Sequence, residues 1–200
     1  MLKRIFDIII SVIIIGVFSP LFLFVAMLIK LNDGGPIFFR GVRIGRNGKP
    51  FRMFKFRSMV VNAENLGGSS TSEDDFRLTK IGKFLKKYQL DELPQLINVL
   101  TGEMSLVGPR PQVPWTVELY SPEEKQILNL RPGMTDWASL WNFHEGEILR
   151  GSKNPDKDYM KKIHPQKMKL SLKYVKNHSL AIDFKIILET INKVLIEVFK

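Results

Sequence analysis

From Ile5 to Leu31 the chain is almost continuously apolar, long enough at 1.5 Å of rise per residue to cross a hydrocarbon core about 30 Å thick. The pair Ser19-Pro20 sits inside this run. Proline removes a backbone donor and clashes with the preceding turn, so a bend is predicted there. Lys3 and Arg4 flank one end of the run, while Lys30, Arg40, Arg43 and Arg46 flank the other. Basic residues favour the cytoplasmic side, which places both ends on the same side, as in a helix that dips into one leaflet and returns. Each half would be about 12 to 14 residues, roughly 20 Å of helix and too short to cross alone. A plain spanning helix is the alternative that the pattern leaves open. A cleaved leader is not expected, because more hydrophobic sequence follows Ser19-Pro20 where a small-residue cleavage site would stand.

Asn32-Asp33-Gly34-Gly35-Pro36 breaks the pattern, so the chain divides into an anchor over 1–31 and a domain over 32–200. Ile37-Phe38-Phe39 starts a strand-like run, and Asn47-Gly48 lies between Val42-Arg43-Ile44 and Phe51-Arg52-Met53-Phe54, which predicts a β-hairpin. With alternating side chains, Phe54 and Phe56 form an apolar face and Lys55 and Arg57 a cationic one. The stretch Leu66-Gly67-Gly68-Ser69-Ser70-Thr71-Ser72 has no apolar period and reads as a mobile loop. Thr79 to Lys87 reads as a basic amphipathic helix with Ile81, Phe84 and Leu85 inward, able to rest on anionic lipid. Ser121-Pro122-Glu123-Glu124 carries a helix-capping box, predicting a helix to about Leu130. Finally, Leu180, Phe184, Ile187, Leu188, Ile191, Leu195 and Val198 recur at helical spacing with Asp183, Lys185, Glu189, Lys193 and Glu197 among them. This is either a helix docked on the core or one lying in a membrane interface.

Two hundred residues with 44% hydrophobic content suit one compact unit plus the apolar segment. The absence of cysteine excludes disulfides and thiolate metal sites. A net charge of +10 implies an anionic partner, whether nucleic acid, an acidic membrane face or a phosphate-rich substrate.

Candidate chemistry gathers in two places. In Leu90-Asp91-Glu92-Leu93-Pro94-Gln95-Leu96-Ile97-Asn98-Val99-Leu100, the spacing of Leu93, Leu96, Ile97 and Leu100 predicts a helix ending near Gly102, with Asp91 and Glu92 at its start. Free amides and the positive end of the helix dipole stabilise carboxylates there. Such a carboxylate can attack phosphorus or bind magnesium, although acidic residues before a helix are more often simple caps. The second place is Val107-Gly108-Pro109-Arg110-Pro111, where Pro109 and Pro111 restrict the loop that presents Arg110. A rigidly held guanidinium grips phosphate with two parallel hydrogen bonds. Arg131-Pro132-Gly133 repeats the arrangement, and in both places a solvated arginine at a turn is the plainer reading. No phosphate-binding glycine loop, dinucleotide fingerprint or HExxH motif occurs, and His144, His164 and His178 are scattered.

Taken together, Lys3-Arg4-Ile5-Phe6-Asp7 before the apolar run, Ser19-Pro20 within it, Phe54-Lys55-Phe56-Arg57-Ser58-Met59, Leu90-Asp91-Glu92-Leu93-Pro94-Gln95 and Pro109-Arg110-Pro111 resemble the small monotopic phosphoglycosyl transferases. These are bacterial sugar transferases acting on undecaprenyl phosphate. The resemblance covers most of the chain. It implies an α+β fold, with a re-entrant membrane-anchor helix broken at Ser19-Pro20 followed by a small cytoplasmic domain of amphipathic helices around a short β-hairpin. It places the chain at the bacterial inner membrane, with the catalytic domain on the cytoplasmic face.

The implied reaction is ping-pong. Asp91 attacks the sugar-bearing phosphate of a UDP-sugar and expels UMP, and undecaprenyl phosphate then takes the phosphosugar. Glu92 helps at the dyad, Mg2+ is held by Asp91 and Glu92, and Arg110, Arg131, Lys55 and Arg57 are the candidates for contacting phosphate. Partners on this reading are the UDP-sugar, undecaprenyl phosphate and anionic membrane lipid, with no nucleic acid; the oligomeric state is left open. The chain departs from the family pattern at Trp137-Ala138-Ser139-Leu140-Trp141-Asn142-Phe143 and on through Lys169, so sugar contacts cannot be carried over there. A membrane-anchored basic binding module is the competing reading, and it leaves the Asp-Glu pair unexplained.

Overall fold

The computed structural model describes residues 1–199; Lys200 and the side chain of Val198 lie outside the described residues. The order of elements is α1 (Leu2–Asp33), β1 (Phe38–Ile44), β2 (Pro50–Phe56), α2 (Lys80–Lys87), α3 (Gln95–Thr101), β3 (Ser105–Val107), α4 (Pro114–Glu118), β4 (Gly133–Thr135), α5 (Trp137–Trp141), α6 (Glu145–Ile148), α7 (Pro155–Lys162), α8 (His164–Asn177) and α9 (Leu180–Val198). The architecture is α+β, and the strands form two separate pairs.

Helix α1 is continuous through Ser19 and Pro20, so the pair does not divide it into two helices. Proline has no N–H for the carbonyl four residues back, and the Ser19 hydroxyl donates to that same Gly16 carbonyl at 2.9 Å. Both ends of α1 are fastened to the domain. At the start, Lys3 Nζ donates to the Val107 carbonyl at 3.0 Å and to Asp183 at 2.5 Å, and Arg4 donates to the carbonyls of Val99 and Leu100. One turn on, Asp7, 2% exposed, accepts from Ser105 Oγ at 2.8 Å and from the Leu106 amide at 3.2 Å. At the other end Val25 and Ile29 pack with Phe56 and Leu85, and Asp33 pairs with Arg57. Between these anchorages Val12, Ile13, Val17, Phe18, Leu23 and Phe24 are exposed.

The predicted hairpin is present: β1 and β2 pair antiparallel, with Phe39 opposite Lys55, Gly41 opposite Met53 and Arg43 opposite Phe51. Its turn is a short 3-10 segment, Arg46–Gly48, in which Asn47 takes the left-handed conformation (φ 58°) that asparagine tolerates. Phe51, Met53 and Phe56 are buried, so the hairpin contributes apolar side chains on both faces. The face that carries Phe51 and Met53 continues into Lys55.

Other expectations need correcting. Phe84 points outward and is 57% exposed, meeting Tyr88 edge to face, while Leu85 is buried. The capping box at Ser121 forms, with the Ser121 amide donating to Glu124 at 2.7 Å, but the element it starts is the 3-10 helix Glu124–Asn129 rather than an α-helix. The Gly67–Ser72 segment is tied down: Asp156 accepts from the Ser70 amide at 2.7 Å and from Ser69 at 3.1 Å, and buried Arg77 donates to the Gly68 carbonyl at 2.8 Å. In α9 the docked side is Asp183, Ile186 and Thr190, whereas Leu180, Phe184, Leu188, Ile191 and Leu195 are exposed as one stripe. Asp183 is drawn inward because Lys3 and the Tyr174 hydroxyl both bond to it.

The second strand pair sets the Arg110 loop. β3 and β4 run parallel, with Ser105 opposite Gly133 and Val107 opposite Thr135. The Gly108 amide donates to the Thr135 carbonyl at 3.1 Å and the Gly133 amide to the Pro109 carbonyl at 3.0 Å. Here the Gly108 and Gly133 backbones lie against each other: a β-carbon on Gly133 would collide with the Gly108 main chain, and one on Gly108 with the Arg131 carbonyl oxygen.

Candidate active site

The chain reaches the Asp-Glu pair through a sharp reversal. Gln89 adopts a left-handed conformation (φ 56°), and the 3-10 turn Leu90–Glu92 follows before Pro94 caps α3. The carboxylates therefore precede α3 by a separate turn and are not in its first turn. Asn98, fully buried on α3, accepts from the Phe54 amide at 2.8 Å and donates to the Arg52 carbonyl at 3.0 Å. That clasp locks α3 to β2 and brings Lys55 over the Leu90–Glu92 turn.

Lys55 Nζ donates to Glu92 Oε1 at 2.7 Å, and Arg110 donates to the same oxygen from Nη2 while its Nη1 reaches the Met134 carbonyl at 3.3 Å. Burial alone would push the Glu92 carboxyl up, but the charges of Arg110 and Lys55 and their hydrogen bonds outweigh it and hold Glu92 well below the ordinary glutamate range. Burial lowers the Lys55 ammonium despite Glu92. It acts against Arg110 too, but there the neighbouring carboxylate wins and the guanidinium is raised.

Asp91 is 3% exposed, and among the described residues its carboxylate has no hydrogen bond or ion pair. Burial raises its pKa, opposed by Lys55 and then Lys86. The dyad therefore holds one carboxylate firmly ionised and braced, and one unbraced carboxylate facing the cleft. That cleft is about 1580 Å³, and its wall runs from Lys55, Asp91, Glu92 and Arg110 to Ile14 and Phe18 of α1.

The candidates from the sequence fall into two groups. Asp91, Glu92, Lys55 and Arg110 come together, with Pro109 and Pro111 flanking Arg110. Arg57 does not join them: it is buried and spends its donors on Asp33, the Pro36 carbonyl at 2.6 Å and the Met59 carbonyl at 3.2 Å, bracing the end of α1. Arg131 also lies apart, donating to the Gly102 carbonyl at 2.9 Å at the end of α3. Ser19 and Pro20 stay within α1.

The sequence did not disclose a second polar cluster on the cleft wall. Buried Lys167 donates to Glu145 at 3.3 Å and lies 5.1 Å from the Tyr159 ring, and Asn142 donates to the same Glu145 oxygen at 2.7 Å. Burial would raise Glu145, but Lys167 and Arg110 bring it down. These residues belong to the divergent stretch, and Lys167 lies 22 positions from Glu145, so no local motif announces the cluster.

Among the described residues no group of three or more His, Cys, Asp or Glu side chains forms a metal cage. The donor set still suits magnesium, which commonly takes one or two carboxylates and completes its shell with substrate phosphate and water. Among the described residues Asp91 is unpaired, and Glu92 Oε2 is left over once Oε1 has received Lys55 and Arg110.

The model of one family, described as bacterial sugar transferase, matches residues 1–197. The chain belongs to the bacterial sugar transferase family. It is 38% identical over 97% of its length to the UDP-N-acetylgalactosamine-undecaprenyl-phosphate N-acetylgalactosaminephosphotransferase of Aeromonas hydrophila, covering 44% of that protein. It is 37% identical over 96% of its length to the UDP-glucose:undecaprenyl-phosphate glucose-1-phosphate transferase of Escherichia coli (strain K12), covering 40% of it. It is 36% identical over 98% of its length to an uncharacterised sugar transferase, EpsL, of Bacillus subtilis (strain 168), covering 88% of it. The chain thus spans less than half of the two relatives whose names state a reaction. The matched stretch covers nearly all of this chain, the cleft-lining segments included.

Proposed function

We propose that this bacterial sugar transferase moves a sugar-1-phosphate from a UDP-sugar to undecaprenyl phosphate, beginning the assembly of a polysaccharide or glycoconjugate. The observation that carries the reading is Asp91: a buried carboxylate without a partner among the described residues, beside a Glu92 fixed by Lys55 and Arg110. In the first step an Asp91 oxygen forms a bond to the sugar-bearing phosphorus while the bond to the bridging oxygen breaks, and UMP leaves with that electron pair. In the second, a phosphate oxygen of undecaprenyl phosphate attacks the phosphosugar-aspartyl phosphorus, releasing the Asp91 carboxylate and giving undecaprenyl diphosphate-sugar. Glu92 keeps Lys55 and Arg110 aimed at the site, where they stabilise negative charge on the transferring group. Magnesium held by Asp91 and Glu92 would offset further phosphate charge. Burial raises the free energy of the Asp91 anion, which favours forming the acyl phosphate.

The membrane side of the proposal rests on α1. Both of its ends are bound to one domain, which suits a helix entering and leaving the same face of the bacterial inner membrane, the cytoplasmic one. The exposed apolar stripe of α9 lies in the interface on this reading, and Lys80, Lys83 and Lys87 around exposed Phe84 meet anionic lipid. The test is UMP release from a panel of UDP-sugars by detergent-purified protein with magnesium and undecaprenyl phosphate. Acceptor-dependent UMP that vanishes in Asp91→Asn supports the reading; full turnover in Asp91→Asn removes the covalent step, and no reaction with any sugar by folded protein removes the activity.

A further inference from the structure

Arg43 enters the sequence only as one of the basic residues flanking the anchor, but the hairpin gives it another place. Partners across an antiparallel pair share a face, so the register that sets Phe39 opposite Lys55 and Arg43 opposite Phe51 puts Arg43 on the same face as Lys55. Between them on β1 stands Gly41. A β-carbon built there would lie 3.1 Å from Arg43 Nη1 and 2.8 Å from the Phe39 ring, which means that the guanidinium is folded back over the bare backbone of Gly41. It lines the same cleft as Asp91 and Glu92.

Its bonding is incomplete. Nη1 donates to the carbonyl of its neighbour Val42 at 2.8 Å, and among the described residues Nε and Nη2 have no hydrogen bond, nor does the side chain form an ion pair. Arg43 is half-buried, so its guanidinium is only partly hydrated and has no carboxylate to offset what it loses. Burial and the charge of Arg110 bring Arg43 down to about 10, with Glu92 opposing them, so Arg43 lies within electrostatic reach of both. Arg43, Lys55, Lys86 and Arg110 line the cleft around Asp91 and Glu92, with Lys167 and Glu145 paired to each other beside them. A nucleoside diphosphate-sugar carries two negative charges on its diphosphate.

We infer that Arg43, seated over Gly41, is a phosphate ligand for the diphosphate of the sugar-nucleotide donor, using the guanidinium edge that no protein group occupies. The inference rests on the proposed transferase reading and adds a residue to it. Arg110 is braced by Glu92 before substrate arrives, whereas Arg43 acquires its anionic partner only from the donor. Gly41 is required because any side chain there displaces the guanidinium.

The test compares wild type, Arg43→Ala, Arg43→Lys, Gly41→Ala and Arg52→Ala. Arg52 is exposed on the other face of the hairpin and controls for loss of one charge. UDP and uridine binding are measured by calorimetry on detergent-solubilised full-length protein, alongside KM for the UDP-sugar and for undecaprenyl phosphate. Losing a charge-assisted bidentate contact predicts UDP affinity weakened roughly tenfold or more in Arg43→Ala. Arg43→Lys should fall between, Gly41→Ala should weaken UDP binding in the same direction, and Arg52→Ala should match wild type. The KM for undecaprenyl phosphate and any uridine affinity should not move. UDP affinity in Arg43→Ala within twofold of wild type overturns the inference, as does an equal loss in Arg52→Ala. If Arg43→Ala does not fold, wild-type UDP affinity in both Arg43→Lys and Gly41→Ala overturns it. Wild type that binds UDP but transfers no sugar-phosphate removes the transferase reading and leaves this one standing; active wild type with an indifferent Arg43 does the reverse.

Discussion

Replacing Glu92 with glutamine keeps the size of the side chain and removes the charge that Lys55 and Arg110 share. The side chains of Lys55, Glu92 and Arg110 are 17%, 13% and 22% exposed, so water shields them only in part. Breaking a buried ion pair by neutralising one partner costs about 3–5 kcal/mol because the other charge stays behind. The residual exposure argues for the lower end, about 3 kcal/mol. At about 2–4 °C per kcal/mol for a protein of this size, Glu92→Gln should melt about 6–12 °C below wild type at pH 7, followed by intrinsic tryptophan fluorescence in detergent. Adding Lys55→Met should recover part of that loss, since one stranded cation disappears, so the double variant should be more stable than the sum of the singles predicts. The carboxyl is depressed in the folded protein, so its contribution is present above the usual glutamate range and lost only as pH falls through its lowered value. The difference between variant and wild type should therefore persist down to about pH 4. A Glu92→Gln protein melting within about 2 °C of wild type, or strict additivity in the double variant, would refute the account of Glu92 as the brace of the site.

Three further outcomes follow from the geometry. Arg57 holds Asp33 at about 2, below its ordinary 3.8, so that pair's stabilisation is complete above about pH 4 and disappears as pH falls through about 2. Asp33→Asn should lower the melting temperature at pH 7 by an amount that vanishes near pH 2, and a constant gap across that range would contradict the assignment. Gly82 lies under the Ser58 carbonyl, where a β-carbon would collide with it; Gly82→Ala should cost about 2 kcal/mol or more through displacement of α2, read as a lower denaturant midpoint. Asp156→Ala removes the acceptor of Ser69 and Ser70, so amide exchange and proteolysis in the Gly67–Ser72 segment should rise while the α3 core remains protected.

Where a feature depends on neighbouring residues, the sequence displays it. The apolar run of α1, the Asn47-Gly48 turn, the Ser121 cap and the Gly102 stop are local signals, and each forms where the pattern places it. The cluster of Asp91, Glu92 and Arg110 was legible because charge and rigid proline turns mark functional loops, but the contact of Lys55 with Glu92 depends on Asn98 clasping β2. Arg57 was grouped with Lys55 for the complementary reason. Alternation puts it on the cationic face beside Lys55, and nothing nearby shows that Asp33, 24 positions earlier, takes it away. Helical spacing found the apolar members of α9 and could not tell which way they faced; the buried side is set by Asp183 meeting Lys3 across most of the chain.

The back-to-back contact of Gly108 and Gly133 has a practical consequence for anyone altering this enzyme. Arg110 is aimed by a loop whose backbone rests on the Arg131-Pro132-Gly133 turn, although Arg131 itself reaches only the Gly102 carbonyl. Substitutions in that turn should therefore register as changes in turnover without any altered side chain entering the cleft. A mutational survey that ranks positions by how near their side chains come to the dyad would place Gly133 among the bystanders, and a library built on that ranking would randomise the support on which Arg110 rests.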